Sequence, residues 1–256
     1  MYMVYLGEST NFDAESVNTE KQQQVHTGLI IHERNWVAMN GEFLAVCKRY
    51  FIAEVDDADF RFNPEDMYEG TGPFDTWDDN KRMSFIQDVL DILIKKEIPM
   101  IAAALNHGIY EKAKTTLQNP EALTKPIAEI IMERFLLALN MFVDELQMST
   151  MDPNQIMEST WAIDDYSLLI AQYGGTIGPH FMKNFLSNEL NIPNPSIIED
   201  ITFASPDYSG MLQLANLTAY LVMRWLTEPE ANENYVDYIN GLQDGKVLQV
   251  IYPVQL

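Results

Sequence analysis

The sequence of 256 residues contains only one cysteine and only 16 basic residues, and each of these low counts argues against a class of function. A lone Cys47 cannot form an intrachain disulfide or a multi-cysteine metal site, and it suits a reducing cytosol, so we expect a cytoplasmic protein. The 16 Lys and Arg stand against 38 Asp and Glu, so the formal net charge is −22. Since neutralising phosphates supplies much of the affinity for nucleic acids, tight unaided binding to DNA or RNA is disfavoured.

Long apolar runs and a secretory leader are missing as well. No run approaches the roughly 18 residues needed to span a bilayer, and the N-terminus lacks a basic segment followed by an apolar one. The sequence therefore predicts no membrane association. The four histidines are scattered and form no zinc-binding pattern.

The acidic residues are concentrated in the regions 54–79 and 144–165, and no Lys or Arg occurs between Arg134 and Lys183. One interpretation is an acidic surface that keeps the chain soluble. The other is a docking face, so we expect a protein partner with a basic surface. Nucleic acid would then be bound only weakly or through that partner.

Apolar segments of strand type alternate with long amphipathic helices, which favours a single α/β domain over residues 1–256. Pro64, Gly70, Gly72 and Pro73 predict a loop-rich acidic insertion near 54–79. The predicted strands are 1–6, 25–31, 100–105, 160–163, 197–203 and 247–252. The predicted helices are 36–51, one from 79, one from 126, and 210–225.

Two short motifs near the ends of the chain carry the functional signal. Tyr-Leu-Gly-Glu-Ser-Thr at residues 5–10 ends the first predicted strand, and Gln-Leu-Ala-Asn at 213–216 lies in a late helix. Together they resemble the RNase H-like family called domain of unknown function 3800, whose members carry strand-Asp-Glu-Ser-Gly and Gln-Leu-Ala-Asp at these places. The resemblance covers most of the chain and includes the segments 65–74 and 161–165.

This resemblance implies an RNase H-like mixed sheet flanked by helices, and Mg²⁺ as the cofactor if any is bound. Such hydrolases hold two Mg²⁺ ions about 3.5–4 Å apart on several carboxylates. The resemblance puts Gly7, Asp164 and Asn216 at the ligand positions, so two of the three expected carboxylates are missing. Gly7→Asp with Asn216→Asp is expected to improve divalent-metal binding if the pocket geometry is kept.

The candidate site consists of the acids that survive and their polar neighbours. By resemblance, the candidate catalytic residues are Glu8, Asp164 and Asp165, of which Glu8 and Asp164 are the candidate metal ligands. The candidate binding residues are Ser9, Gln213 and Asn216.

The lost ligands and the negative charge predict a degenerate, catalytically impaired domain that acts through protein–protein contacts, as in mobile-element or host-defence conflict. One alternative is an active Mg²⁺-dependent nuclease whose ligands have moved to Glu8, Glu65 and Asp165. A third hypothesis is an acidic mimic of nucleic acid that blocks a nucleic-acid-binding protein.

Overall fold

The computed structural model describes residues 1–11, 22–51, 63–116, 126–150, 167–172, 201–206, 209–228, 233–244 and 247–251. They form an α/β structure with a six-stranded mixed sheet flanked by helices. The strands are β1 (Tyr2–Thr10), β2 (Gln23–His32), β3 (Met100–Asn106), β4 (Ser167–Gln172), β5 (Thr202–Ala204) and β6 (Leu248–Ile251). The helices are α1 (Glu33–Tyr50), α2 (Pro64–Glu69), α3 (Asp79–Lys95), α4 (His107–Thr116), α5 (Ile127–Thr150), α6 (Gly210–Thr227) and α7 (Glu233–Asp244).

The strand order β5-β4-β1-β2-β3-β6 puts β1 inside the sheet. β2 is antiparallel to both of its neighbours, β1 and β3. The other three pairs, β1 with β4, β4 with β5 and β3 with β6, are parallel. Parallel strands end at the same edge of a sheet. The polar residues that follow the apolar parts of β1 and β4 are therefore neighbours.

Both faces of the sheet are buried, which explains why β1 is a nearly continuous apolar run. Val4 and Leu6 pack in a cluster with α5, while Tyr5 points to the other face, where α1, α3 and α6 lie. α6 packs on β1 and β2. From Met211 to Met223 every residue of α6 is buried except Asn216. This single half-exposed position marks where the helix borders a cleft.

The predicted strands 1–6, 25–31, 100–105 and 247–252 and the four predicted helices are confirmed within a few residues. Of the predicted strand 197–203, the described part is a strand only from Thr202, and α4 and α7 were not predicted. The predicted strand 160–163 lies outside the described residues. The strand that pairs in parallel with β1 is β4, at Ser167–Gln172. The described part of the acidic insertion, 63–79, contains α2 and a 3₁₀ turn at Gly72–Phe74 rather than only loops. No helix in the described part of the chain is long and apolar enough to cross a bilayer.

Candidate functional site

A cleft of about 230 Å³ opens where the ends of β1 and β4 meet α6 and the start of α2. The described residues that line it are mostly polar, and among them amide side chains are more numerous than carboxylates. The lining residues are Glu8, Ser9, Thr10, Asn11, Asn63, Pro64, Glu65, Gln172, Asn216, Tyr220, Met223 and Arg224.

Three of these residues, one each from β1, β4 and α6, form a closed ring of hydrogen bonds. The backbone N–H of Glu8 donates to Asn216 Oδ1 at 3.2 Å. Asn216 Nδ2 donates to Gln172 Oε1 at 2.9 Å, and Gln172 Nε2 donates to Glu8 Oε1 at 3.2 Å. Each residue is therefore both a donor and an acceptor within the ring. We call Glu8, Gln172 and Asn216 the polar ring.

Gly7 lies directly under α6, beside the polar ring. A Cβ built on Gly7 would stand 2.6 Å from the backbone nitrogen of Asn216 and closer still to the carbonyl oxygen of Ala215. This carbonyl also accepts a hydrogen bond from Thr27 Oγ1 at 2.9 Å, and Thr27 is the cross-strand partner of Gly7. The backbone of α6 is thus held against β1, where no side chain at position 7 would fit without a shift.

His26 is fully buried next to the site, opposite Glu8 in the β1–β2 pairing. Its Nε2 lies 3.2 Å from Gln24 Nε2, and its Nδ1 has no hydrogen-bond partner among the described residues. Burial lowers the pKa of His26 to about 4, although the negative charge of Glu8 opposes this shift. The imidazole is therefore neutral at pH 7 and is not one of the residues that line the cleft.

Two more α6 residues, Tyr220 and Arg224, line the cleft one and two turns beyond Asn216. The Arg224 guanidinium lies 4.1 Å from the centre of the Tyr68 ring and donates to Glu228 at 2.7 Å. Burial raises the pKa of the Tyr220 hydroxyl. Tyr220 therefore stays protonated near neutral pH and is unsuited to act as a general base.

The predicted site residues are only partly brought together. Glu8, Ser9 and Asn216 line the cleft, whereas Gln213 is buried and donates to the Pro206 carbonyl at 2.9 Å. Asp164 and Asp165 lie outside the described residues, so their predicted roles stay predictions.

Gln172 is the member of the polar ring that the sequence analysis missed. Continuing the β1–β4 register from Tyr5 opposite Ile170 brings Gln172 level with Gly7. A polar residue directly after the apolar run 168–171 was the available signal. The two acids after 160–163 matched the family motif and drew the prediction to the earlier segment.

The donor set does not fit a two-metal centre in the part of the chain that the structure describes. Two Mg²⁺ ions require several carboxylate oxygens at short range, but the polar ring contains one carboxylate and two amides. No group of three or more His, Cys, Asp or Glu side chains among the described residues could hold a metal ion.

Comparisons with protein-family models, with curated proteins and with solved structures found no match to this chain.

Proposed function

We propose that this chain is a degenerate RNase H-like domain of the kind called domain of unknown function 3800, catalytically impaired and acting through protein–protein contacts. The polar ring next to the covered Gly7 carries the proposal. The ring lies where the family motifs would put metal ligands, and its amides stabilise the contact of α6 with the sheet.

The chemistry available in the ring favours a structural role. An amide oxygen is a neutral ligand, so Gln172 and Asn216 would not offset the charge of two divalent ions. The ring also satisfies polar groups that would otherwise be left unpaired in a partly buried place. A water nucleophile needs a positioned base or a metal for activation, and Glu8 is the one carboxylate in the ring.

A basic partner is the counterpart that the charge of the chain favours. Five acids in the described part of the acidic insertion are exposed to solvent. They are Glu65, Glu69, Asp75, Asp78 and Asp79. Complementary charge speeds the encounter of two proteins and fixes their orientation. The remainder of this acidic region, 54–62, lies outside the described residues.

Calorimetric titration with Mg²⁺ and Mn²⁺ tests the proposal at the ring. We expect the unmodified protein and Glu8→Gln to give the same weak, nonspecific heats. The Gln side chain keeps an oxygen for Gln172 Nε2 and removes only the charge. Binding of two ions by the unmodified protein, lost in Glu8→Gln, would contradict the proposal.

An active Mg²⁺-dependent nuclease that hydrolyses phosphodiester bonds is the second candidate. One observation favours it, because Glu65 lines the same cleft as Glu8. Asp165, its third proposed ligand, lies outside the described residues. On this candidate Glu65→Gln abolishes a divalent-dependent cleavage activity, whereas the first proposal expects no such activity in any variant.

A further inference from the structure

The wall of the cleft contains a polar group that no described residue satisfies. Tyr220 lines the cleft and is only 7% exposed. Its ring packs edge-on against the ring of Tyr68, with 5.9 Å between the centres, but its hydroxyl has no hydrogen-bond partner among the described residues. A tyrosine that is buried to this extent usually has a partner for its hydroxyl. The Tyr220 hydroxyl therefore indicates a ligand that enters the cleft.

The charges around this hydroxyl are mainly negative. Glu8 and Glu65 line the cleft, one from β1 and the other from α2. Burial raises the pKa of Tyr220, and the negative charges of Glu65 and Glu69 add to this effect. These acids are thus close enough to act on the hydroxyl. A positively charged ligand is the kind that such a cleft attracts.

Arg224 is the one basic residue among the described residues that line the cleft, and its charge is already paired. It donates to Glu228 at 2.7 Å, and its guanidinium lies 4.1 Å from the centre of the Tyr68 ring. An anion such as a phosphate would compete with Glu228 for this guanidinium and would also face Glu8 and Glu65. The charges therefore favour a cation over an anion.

The acceptors in the cleft suit a planar organic cation better than a metal ion. The side-chain oxygens of Gln172 and Asn216 each accept one hydrogen bond within the polar ring, and an amide oxygen has two lone pairs. A guanidinium has five N–H donors in one plane and is weakly hydrated. Mg²⁺ instead keeps much of its water and binds carboxylates at short range. A guanidinium can use acceptors that are spread over several walls.

We propose that the cleft binds an arginine side chain of the basic partner protein. This inference rests on the proposed function, because it names the place where that partner docks. The guanidinium donates to the carboxylates of Glu8 and Glu65, and the Tyr220 hydroxyl accepts one of its N–H groups. Glu65 lines the cleft and is also one of the exposed acids of the insertion. One basic surface can therefore contact the cleft and the insertion together.

Calorimetric titration of the full chain with a blocked tripeptide Gly-Arg-Gly tests the proposal. The control peptide carries citrulline, in which a neutral urea group replaces the guanidinium. We expect the citrulline peptide to bind at least about tenfold more weakly, which corresponds to about 1.4 kcal/mol. A peptide with lysine should also bind more weakly, because an ammonium has only three donors and is strongly hydrated.

Two substitutions in the cleft locate the binding site. Glu65→Gln should raise the Kd of the arginine peptide at least about tenfold, because it removes a charge from the ion pair. Tyr220→Phe should raise it at least about threefold through the lost hydrogen bond. Asp75→Asn is the matched control, since it removes one charge from an exposed acid that is not among the lining residues. It should change the Kd less than about twofold.

Three outcomes overturn the proposal: no binding of the arginine peptide at millimolar concentrations, equal binding of the citrulline or lysine peptide, or a Kd indifferent to both cleft substitutions. Glu65 is exposed, so Glu65→Gln keeps the test valid even if Tyr220→Phe unfolds. None of these outcomes refutes the proposed function, since a basic partner could still dock on the exposed acids of the insertion. Divalent-dependent cleavage by the unmodified chain would refute that function separately.

Discussion

At residue 7 the absence of a side chain lets the backbone of α6 lie directly on β1. A Cβ there would overlap the carbonyl of Ala215, which Thr27 also holds by a hydrogen bond. The expectation that Gly7→Asp would help to rebuild a metal site is therefore withdrawn, because the pocket geometry on which it depended is not kept. Whether a side chain fits at residue 7 depends on the register of α6 and on its distance from the sheet. Neither of these can be predicted from the presence of a glycine in the sequence.

Gly7→Ala should lower the free energy of unfolding by about 1–3 kcal/mol, because backbone atoms would have to move. Gly7→Asp should cost more, since it also buries a charge. Urea unfolding measures both, with Gly241→Ala as control. That control should be neutral or stabilise by up to about 1 kcal/mol, because the site is open and alanine favours a helix. Wild-type stability of Gly7→Ala would show that α6 does not contact β1 as described.

His26 should make the protein sensitive to mild acid. Its pKa is lowered to about 4 in the folded protein by burial, below the ordinary 6.5, so the unfolded chain binds this proton first. The contribution of neutral His26 to the free energy of unfolding is therefore complete above about pH 6.5. It falls by about 3 kcal/mol as the pH falls towards 4.

Unfolding free energies at pH 7, 5.5 and 4.5, compared between wild type and His26→Gln, measure this contribution. The difference between the two proteins should shift in favour of the variant as the pH falls. A difference that is constant with pH would contradict a buried neutral imidazole.

Near the start of α3, some acidic residues stabilise the helix, whereas others only contribute negative charge. Asp78 is the N-cap of α3, and its carboxylate accepts from the backbone N–H of Lys81 at 2.8 Å. Asp79 forms an ion pair with Arg82 in the first turn. Asp75 is another exposed acid, and it precedes the N-cap residue in the sequence. Substituting every acid in this region would therefore remove negative charge and helix-stabilising contacts together, so the two effects could not be told apart.

Asp78→Ala should cost about 1 kcal/mol of stability, the usual loss for an N-cap, whereas Asp75→Ala should stay within about 0.5 kcal/mol. Both variants remove one negative charge, so thermal unfolding of the pair isolates the cap. Equal losses in the two variants would mean that the cap contributes nothing.

How well each element could be predicted depended on its length and on its burial. α1, α3, α5 and α6 show helical periodicity over many residues, and β1 to β3 are apolar runs, so all were predictable. β4 is only six residues long and was not predicted, because the motif match at Asp164-Asp165 directed the prediction to the segment 160–163. The six-residue α2 sits in a segment rich in Pro and Gly, where composition indicates loops.

The candidate site was predictable only in part, for a different reason. Glu8 and Asn216 belong to sequence motifs and were found. Gln172 joins them only through the β1–β4 pairing, which depends on contacts between distant parts of the chain. The closed polar ring is a property of three elements together, so no local pattern contains it.

For the molecule as a whole, the net charge of −22 should govern association with a basic partner. Binding should weaken as salt rises, because exposed charges are screened beyond about 8–10 Å at physiological ionic strength. Asp56→Asn, Asp57→Asn and Asp59→Asn together should slow association, and Asp75→Asn is a single-charge comparison outside that group.

Pull-down followed by binding kinetics at several salt concentrations checks this prediction. Unfolding curves of each variant confirm that the fold is kept. A partner indifferent both to salt and to the triple substitution would mean that these acids serve solubility alone.

The proposed function implies that the site where β1, β4 and α6 meet does not catalyse phosphodiester hydrolysis. Incubating the purified chain with RNA, DNA and RNA–DNA hybrid in Mg²⁺ or Mn²⁺, beside Glu8→Gln and Asp164→Ala, tests this. We predict that all three proteins leave the substrates as intact as a protein-free control does. Divalent-dependent cleavage by the unmodified protein that disappears in either variant would contradict the account.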